Sequence, residues 1–205
     1  MPKGRLAEWS ALAGIILASG CASTGDGPAG RLARSLEAVK AELNEISGQV
    51  EQMASLATGF GAVVEGQGDL KAHYARFSDA VRAVEARDAR LRARAADFRA
   101  REEAYLEAWE KELAAAGGGA ARRDAIATAF GEVEMVARGV RASFDLLIED
   151  VRAIRARLEN DLTAAGVAAV EDGIRAAALD AAAVRKGIDA IVASMEDAGR
   201  ELPGP

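Results

Sequence analysis

The sequence has one cysteine, one histidine and four prolines, and each shortage closes a class of explanation. Cys21 stands alone, so no disulfide within the chain is possible. His73 also stands alone, which excludes a Ser-His-Asp arrangement and a histidine-based metal cluster. Pro2, Pro28, Pro203 and Pro205 lie near the ends, so no proline interrupts helices between them. Long apolar runs are missing too. The strongest, residues 12–18, is far short of the about 20 residues a membrane span needs. No G-x-x-x-x-G-K-[ST] loop is present to cradle a nucleotide. Basic blocks are absent as well: 26 Lys and Arg are interspersed among 32 Asp and Glu, with a net charge of −6. A nucleic-acid partner would need a basic stripe to neutralise phosphates, so none is expected. Neither catalysis nor a cofactor or metal is expected from this inventory.

What remains is an Ala-, Arg-, Glu- and Leu-rich chain in which aromatics make up 4%. Its organising feature is an apolar seam with steps of four and three from Leu70 to Leu113, through Phe77, Val81, Val84, Leu91, Phe98, Tyr105 and Trp109. A repeat of 3.5 residues keeps one helix face turned toward partner helices, here over about 70 Å. The same spacing recurs before it, from Leu32 to Phe60, and after it, from Ile126 to Leu158 and from Val167 to Leu202. A glycine-rich break at residues 59–68, the triplet Gly117-Gly118-Gly119 and a phase slip at residues 159–163 separate the four segments. Asp69 and Thr163 are expected to cap the helices that follow them. Short turns between long helices make neighbours antiparallel. The expected fold is all-α: an elongated antiparallel coiled-coil helical bundle of three long helices plus a shorter first helix. Folding about Gly118 pairs residues whose numbers sum to roughly 236–240. The end near Phe98 to Trp109, which the first helix does not reach, should be three helices wide.

The N-terminus carries Lys3 and Arg5, then the apolar run Leu12 to Ala18, then Ser19-Gly20-Cys21. A basic start, a short apolar core and small residues at its end mark a secretory signal peptide. Ending on Cys, the segment resembles a bacterial lipoprotein lipobox, which implies diacylglyceryl attachment to the Cys21 thiol and cleavage before it. Two or three acyl chains anchor a protein stably. The expected organisation is a signal peptide at 1–20, a flexible tether at 21–30, a helical bundle at 31–202 and a tail at 203–205. By resemblance to proteobacterial lipoproteins, the absence of Asp at Ala22 implies the outer membrane, facing the periplasm, if the cell is Gram-negative.

Charges within the helices have two readings each. Arg87, Arg90, Arg94 and Arg101 share one side of the organising helix and either hold an anionic partner or pair with Glu37, Glu42 and Glu45 of the first helix; the second is favoured, since such charges set helix partners. Glu103, Glu107 and Glu110 read as a solvated face, and His73 as a helix-surface or seam-edge residue. Asp88 and Glu102 interrupt the seam and need partners when buried; the hairpin register offers Arg152 and Arg138. Tyr105, Trp109 and Phe130 gather at the three-helix end, either as core or as anchors for a partner, a role in which Trp and Tyr are enriched.

Gly68-Asp-Leu-Lys-Ala-His-Tyr74, the run Tyr105 to Leu113 and the run Asp150 to Thr163 resemble an uncharacterised family of bacterial lipoproteins, a domain of unknown function with coiled-coil character. The resemblance implies location and fold and carries no activity. The primary expectation is a structural or adaptor lipoprotein that binds another envelope protein. The alternative is a carrier that holds a lipid or other apolar ligand within the bundle. Ala137, Ala177 and Ala181 count against the carrier, because small seam residues draw helices together and leave little room.

Overall fold

The computed structural model describes residues 27–116 and 120–202, without the side chains of 112–116, 120 and 122. The expected signal peptide, Cys21, the expected tether up to residue 26, the side chain of the seam member Leu113, the turn expected at Gly117 to Gly119 and the expected tail at 203–205 lie outside this description. Six helices follow in order: α1 (Pro28–Thr58), α2 (Phe60–Glu65), α3 (Leu70–Ala116), α4 (Ala120–Asn160), α5 (Ala164–Ala169) and α6 (Glu171–Glu201).

Local chemistry sets the boundaries. Pro28 opens α1, where its missing N–H costs nothing. The Asp69 carboxylate accepts from the Ala72 N–H at 2.9 Å and caps α3. The Thr163 hydroxyl accepts from the Gly166 N–H at 3.2 Å and starts α5. The glycine-rich break is shorter than the sequence suggests. Residues 60–65 form α2 because Phe60 is fully buried and meets His73 and Phe77 edge to face, with ring centroids 4.6 and 5.4 Å apart. Only Gly66 to Asp69 form the turn, where Gln67 takes φ 50°. The fourth segment also bends, at Val170, dividing α5 from α6. As a result α1 and α6 are both 31 residues long, and the first helix is no shorter than the last.

The expected all-α bundle is the observed one. Helix neighbours run α1–α3, α3–α4, α4–α6 and α6–α1 around the bundle, up and down in turn. Every apolar seam member of α1, from Leu32 to Ala57, is buried, as are Phe130, Leu147, Val151 and Leu158 of α4 and Ile174 to Met195 of α6. His73 is buried rather than superficial: its Nε2–H donates to the Leu56 carbonyl at 2.7 Å, joining α3 to α1.

Packing around the ring is uneven. Gly187 of α6 lets α4 come close: a Cβ there would sit 2.5 Å from Val140 Cγ2. With α4 drawn against α6, its contact with α3 is the sparsest of the four long edges. The far end also differs from expectation. Gly199 packs against Leu36 near the start of α1, so α6 ends at about the level where α1 begins. Past about residue 105 of α3, by helix rise, the bundle is two described helices wide rather than three. Arg123 and Glu110 pair across this projection.

Candidate functional site

Between α3 and α4 the bundle is open. The two helices meet at a charged clasp, where Arg152 donates to Glu85 at 2.6 Å and Arg141 pairs with Asp88. They meet again where Phe98 and Phe130 pack edge to face at 5.5 Å. Between these points the walls carry Leu91 and Ala95 on α3 and Val133, Ala137 and Val140 on α4, too short to close the gap. The result is an apolar slot of about 490 Å³. Its floor is Val39, Leu43 and Ile46 of α1 with Ile188, Ile191 and Met195 of α6, all buried. Leu91, Ala95, Ala137 and Val140 are only half-buried, which identifies them as wall rather than core.

This corrects the reading of Ala137. Small seam residues close an interface only when both backbones can approach. Here α4 is committed to α6 at Gly187, so Ala95 and Ala137 leave space. Ala177 and Ala181 behave as expected and are buried in the close-packed part of α6.

The rim is charged. Asp88 is 9% exposed and is held by Arg141 of α4 and by Arg92 of its own helix at 2.7 Å, not by Arg152. Arg152 instead holds Glu85. A hairpin about Gly118 assumes that both arms leave the turn at equal height. Along this face Asp88 meets Arg141, and the Tyr74 hydroxyl donates to the Arg155 carbonyl at 3.4 Å, an offset of about two turns. A polar hollow of about 370 Å³ lies beside this clasp, against Arg152 and Asp145.

Glu102 likewise does not find Arg138, and among the described residues it forms no ion pair. Its carboxyl is pushed from 4.5 to about 6, first by burial and then by Glu134 across the gap, against a smaller opposing pull from Arg99. The folded state therefore holds this proton more tightly than the unfolded one. The penalty is absent below the unfolded value near 4.5, grows as pH rises to about 6, and is constant above. Glu102→Gln should raise the melting temperature at pH 7.5 relative to the parent, and the gap should close as pH falls to 4.5. A gap that stays constant across that range would contradict the burial of Glu102 beside Glu134. Comparing variant with parent isolates this group from Asp150, whose carboxyl is also raised by burial and by Asp180 of α6.

The arginine cluster takes the pairing reading in part. Burial opposes ionisation of Glu42, but hydrogen bonds from Arg87 at 3.0 Å and Arg94 at 3.3 Å outweigh it and lower its pKa. Arg101 holds Asp97 of its own helix at 2.7 Å, and Ser35 donates to the same carboxylate at 3.2 Å. Glu37 pairs with Lys40 rather than with an arginine.

The three aromatic candidates for partner binding divide. Phe130 is 1% exposed and Tyr105 5%, so both are core and neither is presented to a partner. Trp109 is half-buried and packs edge to face on Tyr105 at 5.6 Å. Among the described residues no group of three His, Cys, Asp or Glu side chains is placed to hold a metal, and no helix is long and apolar enough to cross a membrane.

The chain matches no family model, no curated protein and no solved structure.

Proposed function

We propose that the protein is a lipid-anchored extracytoplasmic module that holds an elongated apolar ligand in the slot between α3 and α4. The observation that carries the reading is the slot itself. Its volume of about 490 Å³ lies within the roughly 300–1,000 Å³ of small-molecule sites, and its lining is apolar with polar groups at the rim. A close-packed bundle gains nothing by leaving such space open, because unfilled apolar surface forfeits burial worth about 25 cal/mol per Å². A partner's helix is a poorer occupant. It is about 10–12 Å across, and the Glu85–Arg152 clasp and the Phe98–Phe130 contact fix the two walls at both ends.

The anchor rests on the Lys3-to-Cys21 pattern, with the outer membrane facing the periplasm as the location in a Gram-negative cell. The adaptor reading keeps one support, the half-buried Trp109 on the projecting α3–α4 pair, and that surface is separate from the slot.

Acyl labelling of the cell should mark the parent and not Cys21→Ser, because the thiol is the attachment atom. The Cys21→Ser chain, which carries no acyl group of its own to fill the slot, should retain a co-purified apolar molecule in native mass spectrometry. Label that persists on Cys21→Ser would sink the anchor. A protein that is empty and takes up no apolar fluorescent probe would sink the ligand.

A further inference from the structure

We infer that the solvent-facing side of α4 docks a second copy of this chain, helix against antiparallel helix, about a twofold axis near residue 144. This surface shares no residue with the lining of the slot, and the inference does not rest on the ligand-binding reading. Besides its core seam, α4 carries a second seam turned to solvent. It runs from Glu132 to Arg157 through Met135, Ala142, Leu146 and Ala153, all exposed. With Gly139 and Glu149, which are exposed too, its steps are three, four, three, four, three, four and four. Spacing of this kind keeps one helix face turned toward a partner helix over its whole length. Among the described residues three large apolar side chains are exposed, and two of them, Met135 at 65% and Leu146 at 59%, stand on this seam. The third, Leu179, is on α6 and outside it.

The occupant follows from how the seam fits its own reverse. A twofold interface uses the same patch on both copies, so each residue must suit the one equally far beyond the axis. Leu146 then lies against the partner's Ala142, and Met135 against the partner's Ala153, a large side chain on a small one each time. Glu149 lies against the partner's Gly139. A Cβ on Gly139 would meet no described atom within 4 Å, so packing within one copy does not call for glycine there. Glycine inside a helix is destabilising relative to alanine, and room for the Glu149 stem of a second copy gives it a use. Charge fixes the direction. Glu132 meets the partner's Arg157, and symmetry makes this contact twice. Within one copy the two are about 38 Å of helix rise apart, and neither forms an ion pair among the described residues. A parallel pairing would instead set Glu132, Glu149 and Arg157 each against itself, like charge on like charge.

The test is sedimentation equilibrium of the full chain carrying Cys21→Ser over a concentration series, in about 0.1 M salt, where repulsion between the acidic copies is screened beyond about 10 Å and contact pairs persist. The parent should sediment as a monomer–dimer equilibrium. Leu146→Glu puts two like charges beside the axis and should weaken association at least about ten-fold. Glu132→Arg alone and Arg157→Glu alone should each weaken it too, because each sets like charges against one another at both ends. Mixed in equal amounts, these two variants should associate as the parent does, since the mixed dimer regains opposite charges at both ends. That rescue also shows both variants to be folded. A parent that stays monomeric throughout overturns the dimer. A dimer indifferent to Leu146→Glu forms through another surface and overturns the assignment of this face. Reversals that weaken nothing, or that mixing does not rescue, overturn the antiparallel register.

Discussion

Phe60→Ala should lower the stability of the bundle by about 4 kcal/mol, within the range of roughly 3–5 kcal/mol for truncating a buried Phe in a core that cannot collapse around the gap. The ring is fully buried on the short α2 and closes the end of the bundle where α1, α2 and α3 converge. It also makes edge-to-face contacts with His73 and Phe77, each worth about 0.5–1.5 kcal/mol beyond area. His73 is anchored elsewhere, to the Leu56 carbonyl, so it cannot swing in to fill the space. Leu179→Ala is the matched control, because Leu179 is 70% exposed on α6 and should shift stability by less than about 0.5 kcal/mol. Urea unfolding at constant slope reads both. Equal midpoint shifts would mean that α2 does not cap the core and that the segment is the loose glycine-rich connection its composition suggests.

That last contrast locates where the sequence was legible. The seam could be read because 3.5-residue spacing is a property of one helix at a time, and Leu32 to Ala57 are buried as that spacing requires. The caps at Asp69 and Thr163 were readable for the same reason, since a side chain reaching its own helix needs no knowledge of the fold. Relations between helices were harder. The assignment of Arg87 and Arg94 to Glu42 succeeded because α1 and α3 are packed closely along their length, which brings both guanidinium groups within reach of the one carboxylate. The pairing of Asp88 with Arg152 failed because α3 and α4 are offset by about two turns on that face, and arginine is long enough to reach either choice.

The slot was missed for a deeper reason. Ala95 and Ala137 occupy seam positions, and a small seam residue can mean close approach or vacant space. Which one holds is decided by a third helix, here by α6, against which α4 packs closely at Gly187. A usable signal existed: two alanines at seam positions on consecutive long helices. The far end is narrower than the three helices expected there, because α6 ends opposite the start of α1.

Ala137→Trp should abolish uptake of an apolar probe while leaving the bundle folded and slightly more stable. Ala137 lines the slot and is half-buried, so an indole there enters space already open between Leu91, Ala95 and Val140. Filling an apolar cavity commonly adds about 0.5–2 kcal/mol. Probe affinity should fall at least about ten-fold, because the occupied wall removes the apolar contact that supplies binding. Ala181→Trp supplies the opposite case. Ala181 is 2% exposed on the close-packed side of α6, and enlarging it should cost about 1–3 kcal/mol through overpacking. The two substitutions are chemically identical and differ only in where the structure puts the vacancy. If both destabilise the protein equally, α3 and α4 are closed in solution and the slot does not exist. If Ala137→Trp is stable yet still takes up probe as the parent does, the ligand lies elsewhere on the molecule.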